Sequence, residues 1–176
     1  MNYEIGDYVM KPMTGVCKVD DVMNLNMDGV NKDKLYYLLV PLNDQREKIY
    51  VPVEKAAFTL RKCMTHEKAW ELIEKIPGIE AIWIDNEKLR EQKYKEAIKK
   101  NDPYALVSVI KMTYNCKRVR MQQGKKNIAA DERYFHIAEN LLYSELGFAL
   151  DKPKDEICQL ITQHIDGKKT GQGASH

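Results

Sequence analysis

The sequence predicts an α+β fold in which a small antiparallel β-barrel or curled sheet precedes an all-α bundle of about five helices. The first sixty of the 176 residues alternate short apolar runs with turn residues, which is typical of β-strands. From Thr65 onward, apolar residues recur every three or four positions, as they do along one face of a helix. Strands and helices do not alternate, which argues against a nucleotide-binding doubly wound sheet.

Five short segments in the first part of the chain are predicted to be strands. Asp28-Gly29 and residues 43–45 supply turns between them, because these residue types readily adopt turn conformations. Pro12, Pro41 and Pro52 are expected at sheet edges or bulges, since proline has no amide hydrogen to donate. The predicted strands are residues 6–12, 16–23, 35–42, 48–52 and 57–60.

Helix-start signals divide the second part of the chain. Thr65 and Asp85 are expected to cap two helices, and Asp102-Pro103 places a carboxylate before a proline at the first helical position. The predicted helices span about 65–76, 85–100, 103–121, 130–148 and 153–166. The chain is therefore expected to contain two domains, 1–62 and 63–166, and a disordered polar tail, 167–176.

Composition narrows the class of protein. No apolar run approaches the roughly 18 residues of a membrane span, and the N-terminus lacks the basic and apolar regions of a signal peptide, so we expect a cytoplasmic protein without membrane segments. The four cysteines lie far apart and form no close pair, which favours reduced thiols over a disulfide framework. The expected oligomeric state is a monomer.

The net charge of +2 conceals an uneven distribution. Residues 1–60 carry a net −2, residues 61–101 a net +2, residues 102–129 a net +5 and residues 130–176 a net −3. A single positive segment in an otherwise near-neutral chain indicates a local partner of negative charge more clearly than the total does.

Catalytic and metal-binding patterns are weak. The sequence has no phosphate-binding glycine loop and no G-x-S-x-G around its helical serines, so we expect neither an enzyme nor a cofactor. Cys63 and His66 have a spacing acceptable for zinc, but Cys158 and His164 would point in different directions on a helix. Small buried cysteines explain these residues more simply, and no metal is expected.

A basic cluster, defined here as Lys117, Arg118, Arg120, Lys125 and Lys126, is the strongest chemical signal. Clustered cations gain by neutralising phosphates and releasing counterions, although composition leaves a nucleic-acid site and a solvated surface equally open. The preceding helix interleaves its lysines with glutamates, which favours a solvated salt-bridge face. Packing against the bundle is the favoured interpretation of Trp83.

These segments together resemble one family. The pattern Tyr3-x-Ile5-Gly6-Asp7-x-Val9-x-x-Pro12-x-x-Gly15-Val16, with Tyr36-Tyr37-Leu38 and Val51-Pro52-Val53-Glu54, resembles the N-terminal domain of the CarD/CdnL bacterial transcription regulators, a domain type also found in transcription-repair coupling factor. The helical part is similar to that family's second domain at Leu89-Arg90-x-x-Lys93-Tyr94-Lys95, Asn101-Asp102-Pro103 and Ala138-Glu139-x-Leu141-Leu142-x-x-Glu145-Leu146.

The resemblance implies that the first domain is a Tudor-like (SH3-like) barrel whose strand edge binds the β subunit of RNA polymerase. It implies that the helical domain contacts promoter DNA at the upstream edge of the transcription bubble and stabilises the open complex, with no reaction catalysed. The residues that would face polymerase are Lys18, Val19, Asp21, Met23, Leu25, Ile49, Tyr50 and Val51.

The resemblance also implies a DNA-contacting set, with one departure. Family members place a wedge tryptophan before the basic Tyr-Lys helix; alignment on Tyr94-Lys95 puts Arg90 there, and Trp83 lies seven residues earlier. Three alternatives remain. Arg90 interacts with the groove electrostatically, Trp83 is brought into the groove, or the chain has no wedge residue. The candidate DNA-binding residues are Trp83, Arg90, Lys93, Lys95, Lys117, Arg118, Arg120, Lys125, Lys126 and Arg133.

Two other classes of function remain open. One is a protein-interaction adaptor whose basic helical face binds an acidic partner. The other, with less support, is a metal-dependent enzyme built on the cysteine and histidine residues. The sequence contains no base-reading motif, so any DNA contact is expected to be with phosphates and the minor groove rather than with a specific sequence.

Overall fold

The computed structural model describes residues 3–81 and 83–166, which form two compact units that divide between Cys63 and Met64. The α+β class predicted from the sequence is confirmed. The predicted tail at 167–176 lies outside the described residues.

The first unit is built on a five-stranded antiparallel sheet with strand order β4-β3-β2-β1-β5. β4 and β5 stand at the two ends of this order and do not pair with each other in the described part of the chain, so the sheet is open rather than a closed barrel. The strands are β1 (Tyr8–Lys11), β2 (Gly15–Asn24), β3 (Leu35–Pro41), β4 (Ile49–Pro52) and β5 (Arg61–Lys62).

A short helix, α1 (Val53–Thr59), follows β4 directly. The prediction of a strand over residues 57–60 is therefore wrong, and the fifth strand begins directly after that segment, at Arg61. Ala56 and Leu60 are four residues apart and both buried, a spacing that suits one face of a helix better than a strand. The Leu60 amide donates to the Ala56 carbonyl at 2.8 Å and closes the helix.

Tyr3 and Tyr37 attach the start of the chain to the core of the first unit. The Tyr3 hydroxyl donates to the Leu60 carbonyl at 2.8 Å, and the Tyr3 amide donates to the Tyr37 hydroxyl at 3.2 Å. Their rings meet edge to face with centroids 5.8 Å apart. Tyr37 and Leu39 alternate with less buried neighbours along β3, as expected for a strand with one face in the core.

The second unit contains five α-helices and one turn of 3₁₀ helix at Ile76–Gly78 in its described residues. α4 and α5 pack along each other as a helical hairpin joined by residues 123–128. The helices are α2 (His66–Lys75), α3 (Glu87–Lys100), α4 (Pro103–Gln122), α5 (Ala129–Leu150) and α6 (Lys154–Asp166).

Side-chain caps begin three of these helices. Thr65 accepts a hydrogen bond from the Lys68 amide at 3.3 Å, and Asp102 accepts one from the Tyr104 amide at 3.0 Å, as predicted. The expected cap at Asp85 is wrong by one residue, because Asn86 has the extended backbone of an N-cap and accepts from the Leu89 amide at 3.0 Å.

The helical core is formed by the apolar stripes of all five helices. None of the described helices combines the length and the hydrophobicity needed to cross a membrane. The most completely buried side chains of this core are Leu72, Ile73, Ile76, Tyr94, Leu106, Ile110, Leu142, Leu146 and Ile157.

Candidate functional site

Several stretches of the sheet in the first unit have a strand neighbour on one side only, among them the end strands β4 and β5. β4 ends the strand order, so its outer edge has no strand partner among the described residues. β1 pairs with residues 15–18 of β2, whereas β3 pairs with β2 as far as Asn24. The second half of β2 therefore also has an edge without a strand partner in the part of the chain that the structure describes. Free edges of this kind can accept a strand from another protein.

A β-bulge marks the point at which β2 loses its second neighbour. Val19 exchanges two backbone hydrogen bonds of 2.8 Å with Gly6 and Asp7, and the register with β3 shifts between Val19 and Asp21. Just beyond the bulge, the Asp21 carboxylate accepts a hydrogen bond of 2.7 Å from the Val22 amide. A carboxylate at this position protects the edge from unspecific pairing.

The eight residues expected to face polymerase fall into three groups by exposure. Lys18 and Tyr50 are exposed, with Tyr50 retaining 37% of its accessible surface. The half-buried residues are Asp21, Met23 and Ile49, and the buried residues are Val19, Leu25 and Val51. The side chains of Val19 and Val51 belong to the core, so only their backbone groups remain for a partner strand.

Arg90 lies inside the second unit and not on its surface. Only 4% of its surface is exposed, and its guanidinium donates two hydrogen bonds, both of 2.8 Å, to the two carboxylate oxygens of Asp131. This position does not suit a residue that contacts DNA. Arg90 is buried because it lies on the inward face of α3, which it shares with Tyr94 and Ile98 at spacings of four residues.

Asp131 is the residue at the centre of this buried network, and it is not among the residues predicted from the sequence. It accepts a further hydrogen bond of 2.9 Å from the Tyr94 hydroxyl. Its burial could have been predicted from its spacing, because Asp131 lies three residues before Tyr134 and seven before Ala138 on the inward face of α5.

Burial and charge shift the pKa values around this network. The hydrogen bonds that Arg90 donates to the Asp131 carboxylate raise the pKa of Arg90, so this guanidinium stays charged. Burial, followed by the charge of Asp131, raises the pKa of Tyr94 and keeps its hydroxyl protonated as a donor. Burial also raises the pKa of the nearby Cys116 thiol.

Trp83 is exposed in the segment before α3. It retains 51% of its accessible surface, and its indole N–H donates to the Asp85 carboxylate. Arg90 donates to the carbonyl of Ile84 at 2.8 Å, so the residue after Trp83 is fixed to the buried network. The indole of Trp83 is therefore half exposed, whereas we expected it to pack against the bundle.

The structure brings Trp83 next to one member of the basic cluster. Trp83 and Arg120 line the same shallow hollow of about 170 Å³, together with Cys116, Gln123 and Ile128. An exposed indole beside a cationic surface is a combination used to contact nucleic acid.

The basic cluster occupies the end of α4 and the connection to α5. The Arg120 side chain donates to the Lys126 carbonyl at 2.7 Å and holds the connection against the helix end. The exposed residues Lys117, Arg118, Lys125 and Lys126 form no ion pair or side-chain hydrogen bond within the part of the chain that the structure describes. Four cations are thus available to an anionic partner.

Three other candidate cations are neutralised locally. Glu91 lies 3.0 Å from Arg133 and 3.3 Å from Lys95, and Glu96 lies 3.0 Å from Lys93. Arg133 also stacks over the ring of Tyr134 at 5.0 Å. These exposed pairs are weak, but they make Lys93, Lys95 and Arg133 poorer phosphate ligands than the unpaired cations of the basic cluster.

Metal-ligating side chains do not gather anywhere in residues 3–81 and 83–166. No group of three or more His, Cys, Asp and Glu residues has the proximity needed to hold a metal ion there. The cysteines Cys17, Cys63, Cys116 and Cys158 are free thiols.

Comparison with known families identifies the first unit. Residues 3–64 match the family model of the CarD-like/TRCF RID domain, which confirms that this part of the chain resembles CarD/CdnL-like proteins. Domains of this family are RNA polymerase-interacting domains. No curated protein matched the chain.

Proposed function

We propose that this chain is an RNA polymerase-binding transcription regulator that contacts promoter DNA without sequence-specific readout and stabilises the open complex. The observation that carries the proposal is the RID-domain match over residues 3–64, the same residues that form the open-edged sheet. In this proposal, the first unit binds the β subunit through a free strand edge, and the second unit contacts DNA.

The second unit supports the DNA role through three features in one place. Exposed Trp83 and half-buried Arg120 line one hollow, and the unpaired cations of the basic cluster lie on the same helix end and connection. Cations attract phosphates and release counterions, while an indole can fill an opened base step. In this arrangement Trp83 takes the role of the wedge, and Arg90 is a positioning residue for the segment that carries it.

The regulator is proposed to act as a cytoplasmic monomer and to catalyse no reaction. Its DNA affinity in isolation is expected to be weak, because the whole chain carries a net charge of only +2. Binding to polymerase would raise the local concentration of the second unit near DNA, which would compensate for weak intrinsic affinity.

The alternative is a protein-interaction adaptor whose basic cluster binds an acidic protein. Lys117 and Arg118 are compatible with either partner, because exposed cations attract any polyanion. Only DNA offers a base step for Trp83 to enter.

The test is to measure binding of the full chain to purified RNA polymerase and, separately, to duplex promoter DNA over a series of salt concentrations. Polymerase should bind, and the DNA affinity should fall as salt rises. A chain that binds polymerase and an acidic protein but has no salt-dependent affinity for DNA would be an adaptor instead.

A further inference from the structure

A cavity in the second unit lies between α4 and α5, near the connection that joins the two helices. Its volume is about 660 Å³, which is within the range of small-molecule sites. Among its lining residues are Thr113, Tyr114, Lys117, Arg118, Met121 and Phe135. The proposed polymerase and DNA contacts do not account for a cavity at this position.

Three large side chains that line this cavity are apolar or aromatic. Met121 retains 66% of its accessible surface and Tyr114 retains 37%, although both are large apolar side chains. Phe135 is half-buried and packs against the helical core from the α5 side. Covering apolar surface of this kind with a flat apolar molecule lowers the free energy of the system, because it removes that surface from water.

The charges around the cavity are not balanced. Lys117 and Arg118 on α4 have no ion-pair partner among the described residues. On the α5 side, Asp131 is already held by Arg90, and His136 lies 3.6 Å from Glu139. Glu132 is the remaining acidic side chain of the lining. The α4 side therefore offers two cations to an anionic group.

We propose that this cavity binds a small organic anion that consists of an apolar ring system and one carboxylate or sulfonate group. The body lies over Tyr114, Met121 and Phe135, and the acidic group binds Lys117 and Arg118. This inference extends the proposed function, because the same two cations belong to the basic cluster. A bound anion would therefore compete with DNA phosphates and lower the affinity for DNA.

The test uses 2-naphthoate as the anionic probe and 2-naphthalenemethanol as its neutral counterpart, titrated calorimetrically into the full chain. The naphthoate should saturate one site with a Kd below about 1 mM and bind more tightly than the alcohol. The substitutions Lys117→Gln and Arg118→Gln together should weaken naphthoate binding about tenfold and leave the alcohol nearly unchanged. The exposed Met121→Glu change should weaken both probes.

The matched control is the Lys125→Gln and Lys126→Gln double variant, which removes the same charge from residues outside the cavity lining. It should leave naphthoate binding nearly unchanged. Equal losses in the two double variants, or no saturable binding, would overturn the proposal.

A DNA titration in the same samples separates this inference from the proposed function. If naphthoate binds but DNA shows no salt-dependent affinity, the cavity stands and the DNA role fails. If DNA binds but naphthoate does not, the DNA role stands and the cavity proposal fails.

Discussion

Arg90 and Asp131 form a buried ion pair that links α3 to the first turn of α5. Both carboxylate oxygens accept from the guanidinium at 2.8 Å, and both side chains are at most 4% exposed. The same guanidinium donates to the Ile84 carbonyl, one residue after Trp83. The pair thus connects the helical core to the segment that carries the exposed indole.

The first prediction concerns the stability of this pair. Asp131→Ala leaves the Arg90 charge buried without its partner and is expected to cost about 3–5 kcal/mol of unfolding free energy. The double variant Arg90→Met with Asp131→Leu removes both charges and should cost much less. Tryptophan fluorescence during denaturant unfolding reports on the second unit, because Trp70 and Trp83 both lie there.

A double-mutant cycle built from the single variants Arg90→Met and Asp131→Leu and their combination decides whether the two residues act as a pair. A double variant whose loss equals the sum of the two single losses would show that they contribute independently. In that case the buried network would not be the element that holds the segment before α3.

The second prediction concerns the strand edge. Tyr50→Glu places a charge on the exposed face of edge strand β4 and should weaken binding to polymerase, while the fold is retained because Tyr50 is outside the core. The matched control is Met13→Glu, which places the same charge on an exposed side chain in the turn between β1 and β2. The binding of both variants to immobilised polymerase is measured. Equal losses of binding would show that β4 is not part of the interface.

The third prediction separates paired from unpaired cations. Lys117→Gln with Arg118→Gln should lower DNA affinity and reduce the slope of log affinity against log salt by up to about 1.8. Lys93→Gln with Lys95→Gln removes the same charge from residues that pair with Glu96 and Glu91, and should change the slope less. Fluorescence anisotropy with a labelled duplex gives both slopes, and a larger effect of the second variant would be inconsistent with the proposed interface.

The fourth prediction concerns the buried thiol of the first unit. Burial raises the pKa of Cys17 from 9.0 to about 11. Because the folded unit favours the neutral thiol, this contribution to stability is present below pH 9 and is lost as pH rises from about 9 to about 11. A Cys17→Ala variant should therefore have a shallower alkaline loss of stability.

The ultraviolet absorbance of the thiolate, taken as the difference between the full chain and the Cys17→Ala variant, measures the thiol without a reagent that must reach it. In the folded chain this difference should have its titration midpoint at about pH 11, whereas in denaturant the midpoint should lie near pH 9. Equal midpoints in the two states would contradict the raised pKa.

Local signals in the sequence were sufficient where an element depends on neighbouring residues. The caps at Thr65 and Asp102 were predictable because each acts within three positions of itself. The buried side of β3 was predictable from the apolar run that contains Tyr37 and Leu39.

The features that were predicted incorrectly depend on residues distant in the sequence or on small differences between neighbouring residues. Arg90 is buried because Asp131, 41 positions later, supplies the compensating charge, and no local pattern gives that pairing. Helix α1 has only seven residues, too few for helical periodicity to stand out from a strand pattern. Asp85 and Asn86 are both good capping residues, and the backbone conformation decides between them.

The most direct test of the central claim is the lifetime of a promoter open complex formed by RNA polymerase, measured after a competitor is added, with and without the full chain. The chain should lengthen this lifetime, and both Tyr50→Glu and the Lys117→Gln, Arg118→Gln double variant should lose that effect. An open-complex lifetime that the chain leaves unchanged, or that both variants lengthen as well as the parent chain does, would contradict the account.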